Sequence, residues 1–177
     1  GGAVCTSDLD CPRDGAGDLV VGSCIAPKDK IRRDSRRMGN LRDLELATNG
    51  ILRATGAYPL WDVARKQLVG GTYLPGITFS AWPSWAQGLG TSLRSTPPKD
   101  PLNTFLGCRT PYDPITCWDE RALKFNCKSP AYVYGYKVEN KGASRQLATT
   151  FEYDGTVSKW YDGTTVVPFA CANFGPA

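Results

Sequence analysis

The sequence lacks histidine altogether and contains a single methionine among its 177 residues. Without histidine, neither a Ser-His-Asp triad nor a Cys-His nucleophile pair can be built. Carboxylate-pair chemistry stays open, but the acidic residues are scattered and no motif fixes their geometry. A secreted hydrolase that uses acidic residues is therefore the least favoured of the functions that we weigh.

Long apolar runs are also absent. The sequence has no stretch of about eighteen consecutive apolar residues, so it predicts no transmembrane helix. Its 41% hydrophobic residues are nevertheless enough to bury a core. A chain of this length fits one domain, or one domain plus a small appendage.

Cysteine is plentiful, with seven residues. No C-x2-C pair is present and histidine ligands are missing, which favours disulfides over zinc. Disulfides indicate an oxidising compartment, so we expect an extracellular or cell-surface protein. Because the number is odd, one thiol is free, pairs with another chain or has lost its partner. The candidate disulfide cysteines are Cys5, Cys11, Cys24, Cys108, Cys117, Cys127 and Cys171, of which Cys108, Cys117 and Cys127 are close enough in sequence for a local bridge.

The composition divides the chain into two unequal parts. Residues 1–27 form a short, turn-rich segment that contains three of the cysteines and is too small to build a hydrophobic core alone. We interpret residues 1–27 as a small Cys-rich module and residues 28–177 as an α+β domain. Within the second part, a short helix is expected at 60–68. The stretch 72–107 is dense in Pro, Gly, Ser and aromatic residues, and we expect its own aromatics to pack it down.

From Lys28 to Pro59 the sequence predicts one long amphipathic helix with a basic start. Gly56 can take the left-handed conformation that ends a helix, and Pro59 cannot continue one. We expect the apolar stripe of this helix to lie across one face of a sheet. Its apolar positions are Ile31, Met38, Leu41, Leu44, Ala47, Ile51 and Leu52.

The last third of the sequence is typical of antiparallel strands. Residues 131–139 alternate, with tyrosines at every second position, and residues 144–153 form the return strand after an Asn-Lys-Gly turn. Asp154-Gly155 and Asp162-Gly163 are tight-turn signals between strands at 144–153, 156–161 and 164–170. A helix followed by such a β-meander is an α+β pattern.

Three segments resemble, in the same order, the soluble domain of type IV pilins and type II secretion pseudopilins. Residues 33–41 (RDSRRMGNL) are similar to the family's A-R-D-x-x-R-x-x-D-L helix start, with Arg32 in place of Ala and Asn40 in place of Asp. Residues 56–59 (GAYP) resemble its N-G-x-Y-P helix ending. Residues 98–103 (PKDPLN) look like the P-x-D-P-x-x-N segment that leads into the sheet.

This resemblance implies a pilin-like fold and a function without catalysis. The chain would be a structural or adhesive subunit, the head of a filament or surface assembly, with other subunits or copies of itself as partners. In pilins a hydrophobic membrane helix precedes the basic helix start, whereas here Cys24 and the Cys-rich module precede it. We therefore expect a pilin-like module within a larger surface protein, rather than a soluble accessory or an engineered chain.

The basic start of the helix suggests an alternative function. A secreted module could bind polyanions such as DNA or glycans through this cluster and exposed tryptophans. The favoured interpretation is a solvated helix face with local Asp–Arg pairs, such as Asp29 with Arg33 and Asp34 with Arg37, because charge runs are usually solvated. The arginines of the cluster are Arg32, Arg33, Arg36 and Arg37.

Trp82 and Trp85, in the irregular stretch 72–107, have two interpretations. Exposed, they would contact a partner or stack on sugars; buried, they would supply the core that this stretch otherwise lacks. Burial is the favoured interpretation, because large aromatic side chains dominate core energetics.

Acidic loops raise the question of calcium, which binds oxygen ligands. The sequence lacks EF-hand spacing, and the Asp-Gly pairs are better explained as turns. We therefore expect no cofactor, with calcium as the less favoured alternative. The candidate ligands are Asp113, Asp119 and Glu120, or Asp154 and Asp162.

Overall fold

The computed structural model describes residues 27–60, 74–126, 131–152, 159–161 and 166–168. Over these ranges the protein has one long helix, α1 (Pro27–Thr55), a π-helical turn (Trp85–Gly90) that runs into a short helix α2 (Thr91–Leu93), and short strands. The strands are β1 (Ile77–Phe79), β2 (Thr104–Phe105), β3 (Trp118–Asp119), β4 (Lys124–Phe125), β5 (Ala131–Tyr132), β6 (Gly135–Glu139), β7 (Ser144–Ala148), β8 (Lys159–Tyr161) and β9 (Val166–Pro168).

The main sheet has five antiparallel strands in the order β1-β6-β7-β8-β9. Strands β6 to β9 follow one another as a meander, and β1 pairs with the free edge of β6. Two small antiparallel ladders, β2–β5 and β3–β4, accompany the main sheet. The α+β class predicted from the sequence is confirmed.

The end of α1 is attached to the sheet. Gly56 has a φ of +81° and donates its N–H to the carbonyl of Leu52 at 2.8 Å, as expected of a left-handed helix end. The Tyr58 N–H then bonds to the carbonyl of Gly142 at 2.9 Å. The Pro59 carbonyl accepts the hydroxyl of Tyr136 at 2.9 Å. The helix therefore ends at the turn between β6 and β7.

The buried face of α1 differs from the predicted stripe. Its fully buried positions include Arg37, Leu44 and Thr48, which recur at intervals of seven and four residues. Ile31 and Met38 are instead exposed, at 46% and 64%. Ala47 is exposed as well. The expectation that these apolar residues face the sheet was wrong, because the row of the helix that meets the sheet begins with charged side chains.

Two clusters of apolar side chains form the core. One contains Leu44 of α1 with Trp85, Leu89, Tyr134, Tyr136, Val138 and Leu147, and so joins the helix to the sheet. The other is dominated by aromatic rings, among them Phe79, Trp82, Phe105 and Trp118. The expectation that the aromatics of residues 72–107 pack this stretch down is confirmed for those within the described ranges, because Phe79, Trp82, Trp85 and Phe105 are all buried.

The predicted strand at 131–139 is interrupted in the structure. Strand β5 pairs with β2, whereas β6 pairs with β1 and β7. Between them, the Tyr134 N–H bonds to Ser80 Oγ at 2.9 Å and its carbonyl accepts the Ser80 N–H at 2.9 Å. Because Ser80 takes both backbone groups, the chain changes from one ladder to the next at this point.

Other predictions are tested in part. The turn at 140–142 is confirmed as a 3-10 turn between β6 and β7. Strands β7, β8 and β9 lie inside the predicted strand ranges and are shorter than predicted. Three predictions lie outside the described residues: the module at 1–27 apart from Pro27, the helix at 60–68 apart from Leu60, and the turns at Asp154-Gly155 and Asp162-Gly163.

Candidate functional site: a buried ion-pair cluster

The charged start of α1 turns towards the protein interior at Arg37. This side chain is fully buried, and all its guanidinium nitrogens meet carboxylates. Nε and Nη2 donate to Asp100 Oδ2 and Oδ1 at 2.6 and 2.8 Å. Nη1 donates to Asp34 Oδ1 at 2.7 Å and to Glu152 Oε1 at 2.6 Å. A planar fork of donors matches a carboxylate in this two-bond geometry, which lysine cannot reproduce.

Arg33, one helical turn earlier, lies beside Arg37. Its Nε and Nη2 each donate to one oxygen of Glu152, both at 2.7 Å. Asp34 accepts the backbone N–H of Glu152 at 3.0 Å. We call these side chains the ion-pair cluster; its members are Arg33, Asp34, Arg37, Asp100 and Glu152.

Neighbouring groups complete the hydrogen bonding of the cluster. Asp100 also accepts the N–H of Leu102 at 2.9 Å and, more weakly, the Thr149 hydroxyl at 3.5 Å. The Arg37 guanidinium carbon lies 5.5 Å from the centre of the Tyr132 ring. The cluster therefore connects α1, the loop before β2 and the chain that follows β7.

The electrostatics of the cluster favour the charged forms. Burial by itself would lower the pKa of Arg37, but the hydrogen bond and the charge of Asp100, followed by those of Glu152, raise the pKa above its usual value. Burial together with the Glu152 charge raises the pKa of the Tyr132 phenol. Because arginine stays protonated at physiological pH, Arg37 holds its partners in place and does not exchange protons with them.

Comparison with protein-family models, with curated proteins and with solved structures finds no match for this chain.

The predicted arginine cluster divides into two pairs. Arg33 and Arg37 are buried, at 7% and 0% exposure, so the prediction that they face solvent or a polyanion was wrong. The local pair of Asp34 with Arg37 is confirmed. Arg32 and Arg36 are exposed, and Arg32 lies 3.8 Å from Asp29. Burial occurs where remote carboxylates meet the helix, because an unpaired buried guanidinium would be costly.

Sequence reasoning missed the partners from other segments. Asp100 and Glu152 are 63 and 115 residues from Arg37. The spacing of the arginines could have indicated the buried face, because Arg33 and Arg37 are one turn apart and lie on the same face as Leu44. Asp100 also lies in the segment 98–103 that resembles the pilin pattern, although its partner was not identified from the sequence.

A second buried arginine, Arg145 of β7, contacts the middle of α1. Its Nη2 donates to Asn49 Oδ1 at 3.2 Å and lies 3.6 Å from Glu45 Oε1. Its guanidinium carbon lies 5.1 Å from the centre of the Tyr58 ring. Polar contacts therefore hold α1 at two levels: the ion-pair cluster near its start, and Arg145 of β7 at its middle.

Both tryptophans proposed as partner contacts are buried. Trp82 is 3% exposed and Trp85 is 0% exposed. Their indole N–H groups donate to the carbonyls of Thr116 at 2.8 Å and Pro98 at 3.0 Å. The partner-contact prediction was wrong, and the favoured alternative of burial is confirmed. The Trp85 bond also holds the segment that carries Asp100.

One of the predicted local disulfides is present. Cys108 and Cys117 form a disulfide, with their Cα atoms 5.4 Å apart. This bond closes the loop whose Thr116 carbonyl accepts the Trp82 indole. The other candidates lie outside the described residues: Cys5, Cys11, Cys24, Cys127 and Cys171.

The acidic residues that were considered for calcium serve as turn acceptors. Asp113 Oδ1 accepts the Thr116 N–H and hydroxyl at 2.8 and 2.9 Å and the Ile115 N–H at 3.0 Å. Burial would raise the pKa of Asp113, but these bonds from Thr116 and Ile115 together lower it. Asp119 Oδ1 likewise accepts two N–H groups, from residues 121 and 122.

Glu120 Oε2, the third of these candidates, accepts the Trp118 indole N–H at 3.0 Å. Asp154 and Asp162 lie outside the described residues. Within the described ranges, no three Cys, Asp or Glu side chains are grouped so that they could hold a metal ion. Over the same part of the chain, no helix has both the length and the apolar character needed to cross a bilayer.

Proposed function

We propose that this chain is a non-catalytic, extracellular structural or adhesive subunit, the pilin-like head of a filament or surface assembly. The observation that carries the proposal is the pairing of Arg37 with Asp100. Arg37 belongs to the segment that resembles the pilin helix start, and Asp100 belongs to the segment that resembles the pilin entry into the sheet. Two stretches that share a family pattern are thus in direct contact.

The third segment of the resemblance supports the same proposal. Tyr58 and Pro59, in the helix ending, bond to Gly142 and Tyr136 of the sheet region. The helix is therefore bonded at its end to the sheet region, and near its start to the loop before β2 and to the chain that follows β7. Such a rigid connection suits a subunit that bears mechanical load, because shear between helix and sheet has to break several charged and neutral hydrogen bonds together.

The state of the charged groups supports a function without catalysis. Each carboxylate of the ion-pair cluster accepts hydrogen bonds from a guanidinium or from the backbone. Carboxylates that are paired with guanidinium groups in this way are suited to a structural role and poorly suited to proton transfer with a substrate. Partners would be other surface or filament subunits or copies of this chain, and the Cys108–Cys117 disulfide supports an extracellular or cell-surface location.

The test is where the protein is found in the cells that produce it. Cells are sheared gently, the released surface fraction is separated from periplasm and cytoplasm, and an antibody against this domain locates it by blotting and immunogold microscopy. We expect the protein in the sheared fraction or on surface structures, with the Cys108–Cys117 disulfide intact by mass spectrometry. A protein that stays in the cytoplasm with both cysteines reduced would overturn the proposal.

A further inference from the structure

The side of α1 that faces away from the sheet carries large apolar side chains. Ile31, Met38 and Leu46 are 46%, 64% and 61% exposed. They recur at intervals of seven and eight residues, which is two helical turns each, so they line one face. We call this the outer face of α1. Three such side chains on one face of a helix make that face a candidate interaction surface.

Positive charge accompanies this apolar row. Arg42 follows Met38 by four residues and Arg53 follows Leu46 by seven, so both lie on the outer face, and both are exposed. Asp43 is the one exposed carboxylate within α1. Arginines therefore alternate with the apolar side chains along the outer face, and Asp43 follows Gly39 by about one helical turn.

Two glycines next to this row have no explanation within the described part of the chain. Gly39 and Gly50 lie inside α1, where glycine costs about 1 kcal/mol relative to alanine. A Cβ atom added at either position would meet nothing within 4 Å. Neither glycine has a positive φ. Glycine at such positions lets the backbone of a second element approach closely.

We propose that the outer face of α1 docks an acidic amphipathic helix of a partner protein, and the proposal deepens the assembly function proposed above. The apolar row would pack against an apolar row on the partner, and Arg42 and Arg53 would meet its carboxylates. Gly39 and Gly50 would receive the closest approach of the partner helix.

Other occupants fit this face less well. A second copy docked through the same face would bring two basic surfaces together, which like-charge repulsion disfavours. A nucleic acid would use the arginines and leave Met38 and Leu46 in water. An anionic membrane would require a broader apolar face than one row of three large side chains.

The test uses a synthetic helical peptide of about 20 residues, with a leucine row flanked by glutamates, labelled for fluorescence anisotropy. We expect saturable binding to the oxidised protein with a Kd of about 10–100 µM, and at least about tenfold weaker binding of a peptide with lysines in place of the glutamates. Protein variants then locate the site. Met38→Asp with Leu46→Asp, and separately Arg42→Glu, should weaken binding about tenfold or more.

Matched controls change the same kinds of residue elsewhere on the surface. Ile115 is 64% exposed, as is Met38, and Arg121 is exposed in the β3–β4 turn. Ile115→Asp and Arg121→Glu should leave binding within about twofold. Gly39→Leu should raise the melting temperature of the protein and still weaken binding, because added bulk blocks the approach. Circular dichroism confirms that each variant is folded.

Several results would overturn the inference. The first is that the glutamate peptide shows no saturable binding, and the second is that the control variants lose as much binding as the outer-face variants. The third is that duplex DNA, or vesicles that contain phosphatidylglycerol, displace the peptide. The fourth is a dimer in sedimentation that the Met38→Asp/Leu46→Asp variant abolishes. Failure of the assembly function is recognised separately, because it is measured by cellular location. A protein found on the surface that does not bind the peptide contradicts only the docking proposal.

Discussion

The guanidinium of Arg37 and the carboxylate of Asp100 are joined by two hydrogen bonds of 2.6 and 2.8 Å, although 63 residues separate them in sequence. Neither side chain reaches solvent. In a buried ion pair each charge offsets the desolvation cost of the other, so loss of either partner leaves a buried charge without a counter-charge. The relationship therefore makes the helix start and the loop before β2 depend on one another.

Removal of Arg37 tests this dependence. Arg37→Met should lower the free energy of unfolding by about 3–5 kcal/mol, because Asp100 and its neighbours would remain buried without a counter-charge. Arg36→Met, an equal change on the exposed side of the helix, should alter it by no more than about 0.5 kcal/mol. Urea unfolding followed by circular dichroism measures both variants. Equal effects of the two changes would contradict the buried cluster.

Gly142 and Gly39 should respond in opposite ways to alanine. Gly142 has a φ of +96°, and an added Cβ would lie 2.9 Å from the Cβ of Ala57. Gly142→Ala should therefore destabilise the protein by about 1–3 kcal/mol. Gly39→Ala meets open space in a helix and should stabilise it by about 0.5–1 kcal/mol. Thermal unfolding of both variants checks the signs, and a stabilising Gly142→Ala would show that the helix ending does not contact this turn.

Buried tyrosines predict a loss of stability at alkaline pH. Burial raises the pKa of Tyr134, and the Asp100 charge raises it further. Burial also raises the pKa of Tyr136, although the Arg145 charge opposes this increase. The unfolded phenol has a pKa of 10.0. The folded state therefore keeps its protons above this pH while the unfolded state loses them. The stabilising contribution of each tyrosine is fully present below the unfolded pKa and decreases above it, by about 1.4 kcal/mol per pH unit, until the pH reaches the folded pKa.

Tyr136→Phe provides the control for this pH dependence. The variant loses the hydroxyl bond to Pro59 and is less stable at neutral pH. Above about pH 10 its stability should fall less steeply than that of the parent protein, so that the two curves converge. Denaturant titrations over a range of pH measure the difference. Parallel curves would mean that the Tyr136 phenol is not shielded from water.

The Cys108–Cys117 disulfide should stabilise the protein by about 3 kcal/mol, the value expected for a loop of this length. Replacement of both cysteines by serine should lower stability by this amount or more, because Cys117 is fully buried. Peptide mapping under non-reducing conditions provides the direct check of the pairing. Recovery of Cys108 linked to any other cysteine would contradict the structure.

Local patterns predicted much of the secondary structure correctly. The extent of α1 follows from its helical periodicity and from Gly56 and Pro59 at its end, and the turn at 140–142 follows from Asn-Lys-Gly. The interruption at Val133 and Tyr134 could not be predicted in this way. It depends on Ser80, a residue more than fifty positions away that takes the backbone bonds of Tyr134.

In the candidate site, too, local sequence patterns predicted only some of the features, and distant residues decided the rest. From the sequence, four arginines near the helix start looked equivalent, and all four were expected on a solvated or ligand-binding face. Helical spacing alone separates Arg33 and Arg37 from Arg32 and Arg36, but it does not say which pair is buried. The choice is made by Asp100 and Glu152, which only the fold brings to that side of the helix.

The sequence by itself determined the α+β class, the long helix with its ending, and the presence of disulfide bonding, because these depend on spacing between neighbouring residues and on residue type. The tertiary structure decided which face of α1 is buried, that Trp82 and Trp85 belong to the core, and that Ile31, Met38 and Leu46 remain exposed. The physical reason is that burial of a charge becomes favourable only when a counter-charge arrives from a distant segment, and only the complete fold brings such segments together.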